Sequence, residues 1–276
     1  MIIYAPDVPR IVSPSLEING NSPLIGWRNV VTLDALTASS ETTDNPAANL
    51  TVPSTYARWE ASAAADQTLT VTLNSANPVD YIAIAGHNLG SAGITVAVET
   101  DTGSGYSAYV PATTVDNDGP LIIQLAPKYL TGIKVKLATG SAAPYISTFY
   151  VGRLLKLQRR IYVGHSPLSL NVNDEVTIGR SERGHFLGRV ILSSTAQGSI
   201  NLQNLSPDWV REHLMPWRRA GRDQPFFFAW RPHKYPDEVA LCWFANNPSI
   251  SNQRTNGMMQ FSANIGGITR DDYDDE

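Results

Sequence analysis

Tyr56, Arg58, His87 and Asn88 are the residues of this sequence whose types best suit contact with a partner protein or with a ligand rich in hydroxyl groups. An aromatic face covers apolar ring surface while an arginine fork donates in a plane, so the run Tyr56-Ala57-Arg58-Trp59 could form a mixed aromatic and hydrogen-bonding platform. Strand alternation would turn Trp59 into the core and leave Arg58 outside. His87 stands between Gly86 and Asn88 at the end of an apolar strand, an exposed position where a side chain either holds a sugar or orders a loop.

Other chemistries find less in the residue pattern. The five histidines, His87, His165, His185, His213 and His233, are scattered, and no pair has the spacing of a zinc site. Glu212-His213 lacks the second histidine that a metalloprotease helix requires. Asp34, Asp44 and Asp66, or Asp116 with Asp118, could offer oxygens to calcium, but their spacing matches no dedicated loop and suits turns equally well. Cys242 is the single cysteine, set between Leu241 and Trp243, and reads as a small buried hydrophobe. No local motif pairs carboxylates or activates a nucleophile, so we expect no enzyme, no metal and no cofactor.

The elements that must position these residues are mainly strands. The chain has 276 residues, 42% hydrophobic and only 17% charged, with 20 glycines and 18 prolines, which describes a folded, turn-rich protein able to form two domains. A net charge of -4 gives no reason to expect nucleic acid, and no stretch has membrane-spanning length. The start of the chain shows no secretory leader. Residues 1–37 read as an extended or edge arm, constrained by Pro6 and Pro9, followed by a short strand near Leu24. Strands follow at 69–73, 79–85, 94–100, 106–110, 121–125 and 133–137, then a run over 145–150; we place a domain boundary near Gly152. The 79–85 strand is almost wholly apolar, which predicts a central position.

Beyond the boundary, residues 153–269 read as a second β-rich domain carrying one short helix near 207–216, and 270–276 as a frayed acidic tail. Ser206 can cap that helix, Pro207 suits its first position, and Pro216 should end or kink it. Trp209, Trp217, Phe226, Phe228, Trp230 and Trp243 are the expected packing or assembly anchors around the helix and an aromatic hairpin. Arg211, Arg218, Arg219 and Arg222 should lie mostly at its wet edge.

The order of elements over residues 38–150, a small polar loop with a late Trp59, a strand, then an apolar strand ending in His87-Asn88-Leu89, resembles the galactose-binding-like or discoidin-type β-sandwich. That resemblance implies binding loops at 39–55, 87–93 and 139–144 that can hold sugars, lipids or partner proteins. The second half, through its strands over 172–202, the helix, Pro225-Phe226-Phe227-Phe228-Ala229-Trp230 and the late strand near Met258, resembles minor structural proteins of the tail tip or baseplate of long-tailed bacteriophages. It departs from distal tail proteins in placing the sandwich first. The two resemblances imply a mainly β, two-part virion protein of the tail tip, assembled in the host cytoplasm as a ring-forming homo-oligomer with other tail proteins. The alternative is a carbohydrate-binding module or glycan-active protein that recognises a cell-surface glycan.

Overall fold

The computed structural model describes residues 1–9, 22–74, 78–161, 165–253 and 257–269, so the acidic tail expected at 270–276 lies outside the described residues. The first part of the chain forms β1 (Ile2–Tyr4), β2 (Leu24–Gly26), β3 (Leu36–Ala38), β4 (Trp59–Glu60), β5 (Gln67–Thr72), β6 (Val79–His87), β7 (Thr95–Asp101), β8 (Tyr106–Thr114), β9 (Leu121–Lys128), β10 (Gly132–Leu137) and β11 (Tyr145–Gly152). It continues with β12 (Leu155–Lys156), β13 (Val172–Arg180) and β14 (Phe186–Leu205), a helical segment α1 (207–220), and β15 (Phe226–Ala229), β16 (Val239–Phe244), β17 (Ser249–Asn252) and β18 (Met259–Ile268). The architecture is mainly β, a β-sandwich followed by a β-rich domain with one short inserted helix.

Two sheets make the sandwich, one ordered β1-β9-β6-β11-β4 and the other β3-β5-β10-β7-β8. β5 and β7 alternate buried and half-exposed residues, as strands with one wet face should. β6 is buried almost throughout, and its alternation explains why. Ile82 and Ile84 enter the sandwich core, whereas Tyr81, Ala83 and Ala85 form a second apolar cluster with Phe227, Ala229 and Leu241 of the following domain. The inner sheet is therefore covered on both faces.

The third sheet runs β12-β2-β15-β16-β18-β14-β13, with β17 paired to β18. β2 contributes to this sheet although it precedes most of the sandwich in sequence, while β1 pairs in parallel with β9. The chain thus visits the second domain early and returns. Gly26 is needed at the crossing, because a Cβ there would stand 2.8 Å from Cε2 of Tyr81. Across the same junction, the Tyr81 hydroxyl donates to the Arg28 carbonyl at 2.5 Å and the Tyr150 hydroxyl to that of Pro225 at 3.1 Å.

The other face of the third sheet is closed by α1, whose Val210, Leu214 and Trp217 join a core with Phe226, Phe228 and Phe261. Two expectations for this helix are met only in part. Pro216 does not end it: residues 210–214 widen into a π-helical turn, and Pro216 then sits in the first turn of the α-helical stretch Met215–Ala220, where a missing N–H is tolerated. The Ser206 side chain makes no capping bond, although Pro207 does occupy the first turn. Of the strands expected over 172–202, the later part is one long strand, β14, which pairs β13 along its first half and β18 along its second.

Candidate functional site

A cleft of about 760 Å³ opens beside the loop after β3, with Tyr56, Arg58, Tyr145 and His87 among its lining residues. Strand pairing builds it. Tyr145 is the cross-strand partner of Glu60, and Arg58 lies two residues before Glu60, so these three side chains share a face. Trp59 points the other way, fully buried, with its indole N–H donating to the Ser40 carbonyl at 2.9 Å. Arg58 is pinned from two sides: its Nη2 donates to Glu60 Oε2 at 2.9 Å, and its guanidinium carbon stands 4.5 Å from the centre of the Tyr145 ring. A guanidinium carries five donors, and the bond to Glu60 engages one nitrogen.

The polar loop is held as firmly. Asn45 Nδ2 donates to Glu60 Oε2 at 3.1 Å and Asn49 Nδ2 to the Arg58 carbonyl at 2.8 Å. Glu41 Oε2 accepts the Ala47 N–H at 2.7 Å where the 3-10 turn Ala47–Thr51 begins. Tyr56 stands at the rim and is 96% exposed. A tyrosine fully outside a pinned arginine and a second tyrosine gives the cleft an apolar wall with directed donors.

His87 and Asn88 are placed differently from the exposed position expected at the strand end. His87 is 2% exposed and forms the floor, because the 116–119 loop folds over the end of β6. Its Nε2 lies 3.0 Å from the Gly119 carbonyl and its Nδ1 accepts the Leu89 N–H at 3.2 Å, which assigns the proton to Nε2. Burial pulls its pKa down to about 4, against the opposing pull of Asp118 and the Gly119 carbonyl. Asn88 supports the site indirectly: Oδ1 accepts the Tyr145 N–H at 2.9 Å and Nδ2 donates to the Ala143 carbonyl at 2.9 Å.

Two of the candidate calcium carboxylates tie separate loops together. Asp118 Oδ1 accepts the N–H groups of Gly90 and Ser91, and Asp66 Oδ1 accepts the Thr139 N–H and hydroxyl. Among the described residues, no group of three His, Cys, Asp or Glu side chains is placed to hold a metal ion, and no helix is long and apolar enough to cross a membrane. Cys242 is buried, and burial pushes its thiol pKa up.

The aromatic residues of the second domain do not gather at this cleft. Trp217, Phe226 and Phe228 are buried, Trp209 and Trp230 are half-buried against the same core, and Trp243 is 38% exposed on the opposite face. Of the basic residues near α1, Arg211, Arg219 and Arg222 are exposed, and Arg218 donates to the Pro248 carbonyl at 3.1 Å. Tyr145, which lines the cleft, and Glu60, which holds Arg58 in place beside it, were not singled out by residue types alone.

A family model described as the XRCC1 N terminal domain matches residues 29–116, less than half of the chain. No curated protein matches it. Among solved structures, chitosan-binding module 1 of a chitosanase/glucanase from Paenibacillus sp. IK-5 is similar at 20% identity, with 46% of this chain and 99% of that one covered and a TM-score of 0.39. The family 32 CBM of C. perfringens NanJ, solved with galactose, is similar at 20% identity, covering 43% and 92%, with a TM-score of 0.38. A pectin-binding carbohydrate-binding module is similar at 14% identity, covering 46% and 92%, with a TM-score of 0.37. At TM-scores of 0.37–0.39 and identities of 14–20%, these likenesses assign this chain neither a family nor a ligand. These three are carbohydrate-binding modules and not tail proteins, which corrects the tail-tip reading together with its virion location, its tail-protein partners and its ring.

Proposed function

We propose that the sandwich is a non-catalytic glycan-binding module and that the cleft between Tyr56, Arg58 and Tyr145 is where a sugar docks. On this reading residues 38–152 are the binding unit, and 153–269, with β2, its support. The observation that carries the reading is the Arg58 guanidinium held over the Tyr145 ring next to a 96% exposed Tyr56. Sugar rings offer an apolar C–H face and a fringe of hydroxyls, which call for an aromatic surface and donors fixed in advance. The similar modules are a chitosan-binding one, one solved with galactose and a pectin-binding one, which supports the class of ligand without choosing one. His87 and Asn88 hold the cleft in shape and do not touch the ligand.

A glycan array followed by calorimetric titration of the hits tests this. Arg58→Ala and Tyr56→Ala should each weaken binding about tenfold or more, the range expected for an interface anchor, with unfolding temperature unchanged. Retention of full affinity in the double variant would exclude the cleft as the sugar site.

A further inference from the structure

The face of the third sheet that meets the sandwich continues past it, and there its character changes. Over β2, β15 and β16 that face carries Leu24, Phe227, Ala229, Val239 and Leu241, all buried. Two residues beyond Leu241, on the same face, Trp243 is 38% exposed. Strand register sets its neighbours. Gly266 of β18 is the cross-strand partner of both Trp243 and Gln197, so the three form one row across β16, β18 and β14. Asn264 and Ser199 are partners in the adjoining row, two residues along their strands.

The glycine at the middle of the first row shapes the site. A Cβ at position 266 would lie 2.9 Å from the Trp243 indole Nε1 and 3.0 Å from Cε2, so the ring rests across the bare backbone of β18. The ring therefore lies along the sheet with its free side open to a cleft of about 470 Å³. Asn171, Gln197 and Asn264 contribute amides to the lining, and Ser166 and Thr195 hydroxyls. Asn171 is anchored by its Nδ2, which donates to the Gln197 carbonyl at 2.6 Å.

We propose that this cleft is a second saccharide site, specific for neutral sugars and independent of the Tyr56 cleft. Among the described residues, its lining includes no Lys, Arg, His, Asp or Glu. An acidic sugar would lose the hydration of its carboxylate there and gain no opposite charge, whereas a hydroxyl that both donates and accepts is matched by an amide. The indole face supplies the stacking surface for the C–H side of a pyranose ring.

The test uses the full chain carrying Tyr56→Ala and Arg58→Ala, which silences the other cleft. Cello-, xylo- and chito-oligosaccharides are titrated against it by calorimetry and tryptophan fluorescence, with oligogalacturonate as the acidic comparator. One or more neutral oligosaccharides should bind, Trp243→Ala should weaken that binding about tenfold or more, and Asn264→Ala, which leaves the indole in place, should weaken it several-fold. Oligogalacturonate should bind more weakly. The proposal is overturned if no neutral oligosaccharide binds this background, if binding survives both further substitutions unchanged, or if oligogalacturonate is preferred. Failure of the Tyr56 cleft in its own assay leaves these outcomes unaffected.

Discussion

His87 forms the floor of the cleft and has a partner for each ring nitrogen, so its titration reports on the floor and not on a ligand. Burial lowers its folded pKa to about 4, while an unfolded chain takes up the proton near pH 6.5. The unfolded state therefore binds more protons in that window, and the stability that neutral His87 confers is present above about pH 6.5 and lost as pH falls towards 4, about 3 kcal/mol in all. His87→Gln, which can still donate and accept, should flatten the fall in urea stability across that range; an unchanged pH slope would contradict the assignment. Asp80 behaves in the opposite sense. Burial raises its pKa to about 6 although Oδ1 accepts the Leu154 N–H at 2.7 Å. The folded state thus loses stability as pH rises from about 4 to about 6. Asp80→Asn keeps the acceptor and removes the charge, so it should be more stable than the native protein by roughly 1–3 kcal/mol near pH 8 and equal to it near pH 4. Thermal unfolding at the two pH values decides the matter.

At the level of elements, α1 stands on Trp217, which is fully buried and meets Phe226 edge-on at 5.1 Å and Phe261 at 5.5 Å. Trp230 is half-buried, stacked on Tyr235 at 5.5 Å, with its indole N–H donating to Glu238. Arg222 is exposed. Truncating a buried aromatic removes transfer energy and leaves a cavity, so Trp217→Ala should cost about 3–5 kcal/mol, Trp230→Ala less, and Arg222→Ala under about 0.5 kcal/mol. Urea unfolding of the three variants checks the order, and a larger loss for Arg222→Ala than for Trp230→Ala would refute it. The same contrast shows what the residue pattern could convey. Alternation along 58–60 is local, so the inward Trp59 and outward Arg58 were legible. The apolar run of β6 likewise announced a covered strand. Tyr145 was not legible as part of the cleft, because only the pairing of β11 with β4 carries it to Arg58. His87 looked like a loop residue because nothing in its neighbourhood says that the 116–119 loop folds over it. Trp243, expected as an anchor, is 38% exposed because the apolar cluster under the sandwich ends at Leu241 along β16, a boundary that depends on how the two units pack.

That packing makes the molecule a stack of layers: outer sheet, inner sheet, third sheet and α1. Domains joined by polar linkers usually move, whereas here the junction is a buried apolar cluster reinforced by the Tyr150–Phe227 edge contact at 5.5 Å and the Tyr81 and Tyr150 hydroxyl bonds. The cleft also takes part of its wall from Ile268 and Thr269 at the end of β18, so its shape depends on the junction. Two consequences can be measured together. Calorimetry of the native chain should give one cooperative transition, because opening either unit exposes the shared cluster. Ala83 is the test position: it is fully buried on the junction face of β6, while its neighbours Ile82 and Ile84 hold the sandwich core. A carboxylate placed there has no counter-charge in an apolar cluster and must either hold a proton or force the layers apart. Ala83→Glu should therefore split the calorimetric trace into two transitions, one for each unit, and weaken glycan binding at the Tyr56 cleft without touching any residue that lines it. A single transition at the native temperature in that variant would mean that the two units are not coupled through this face.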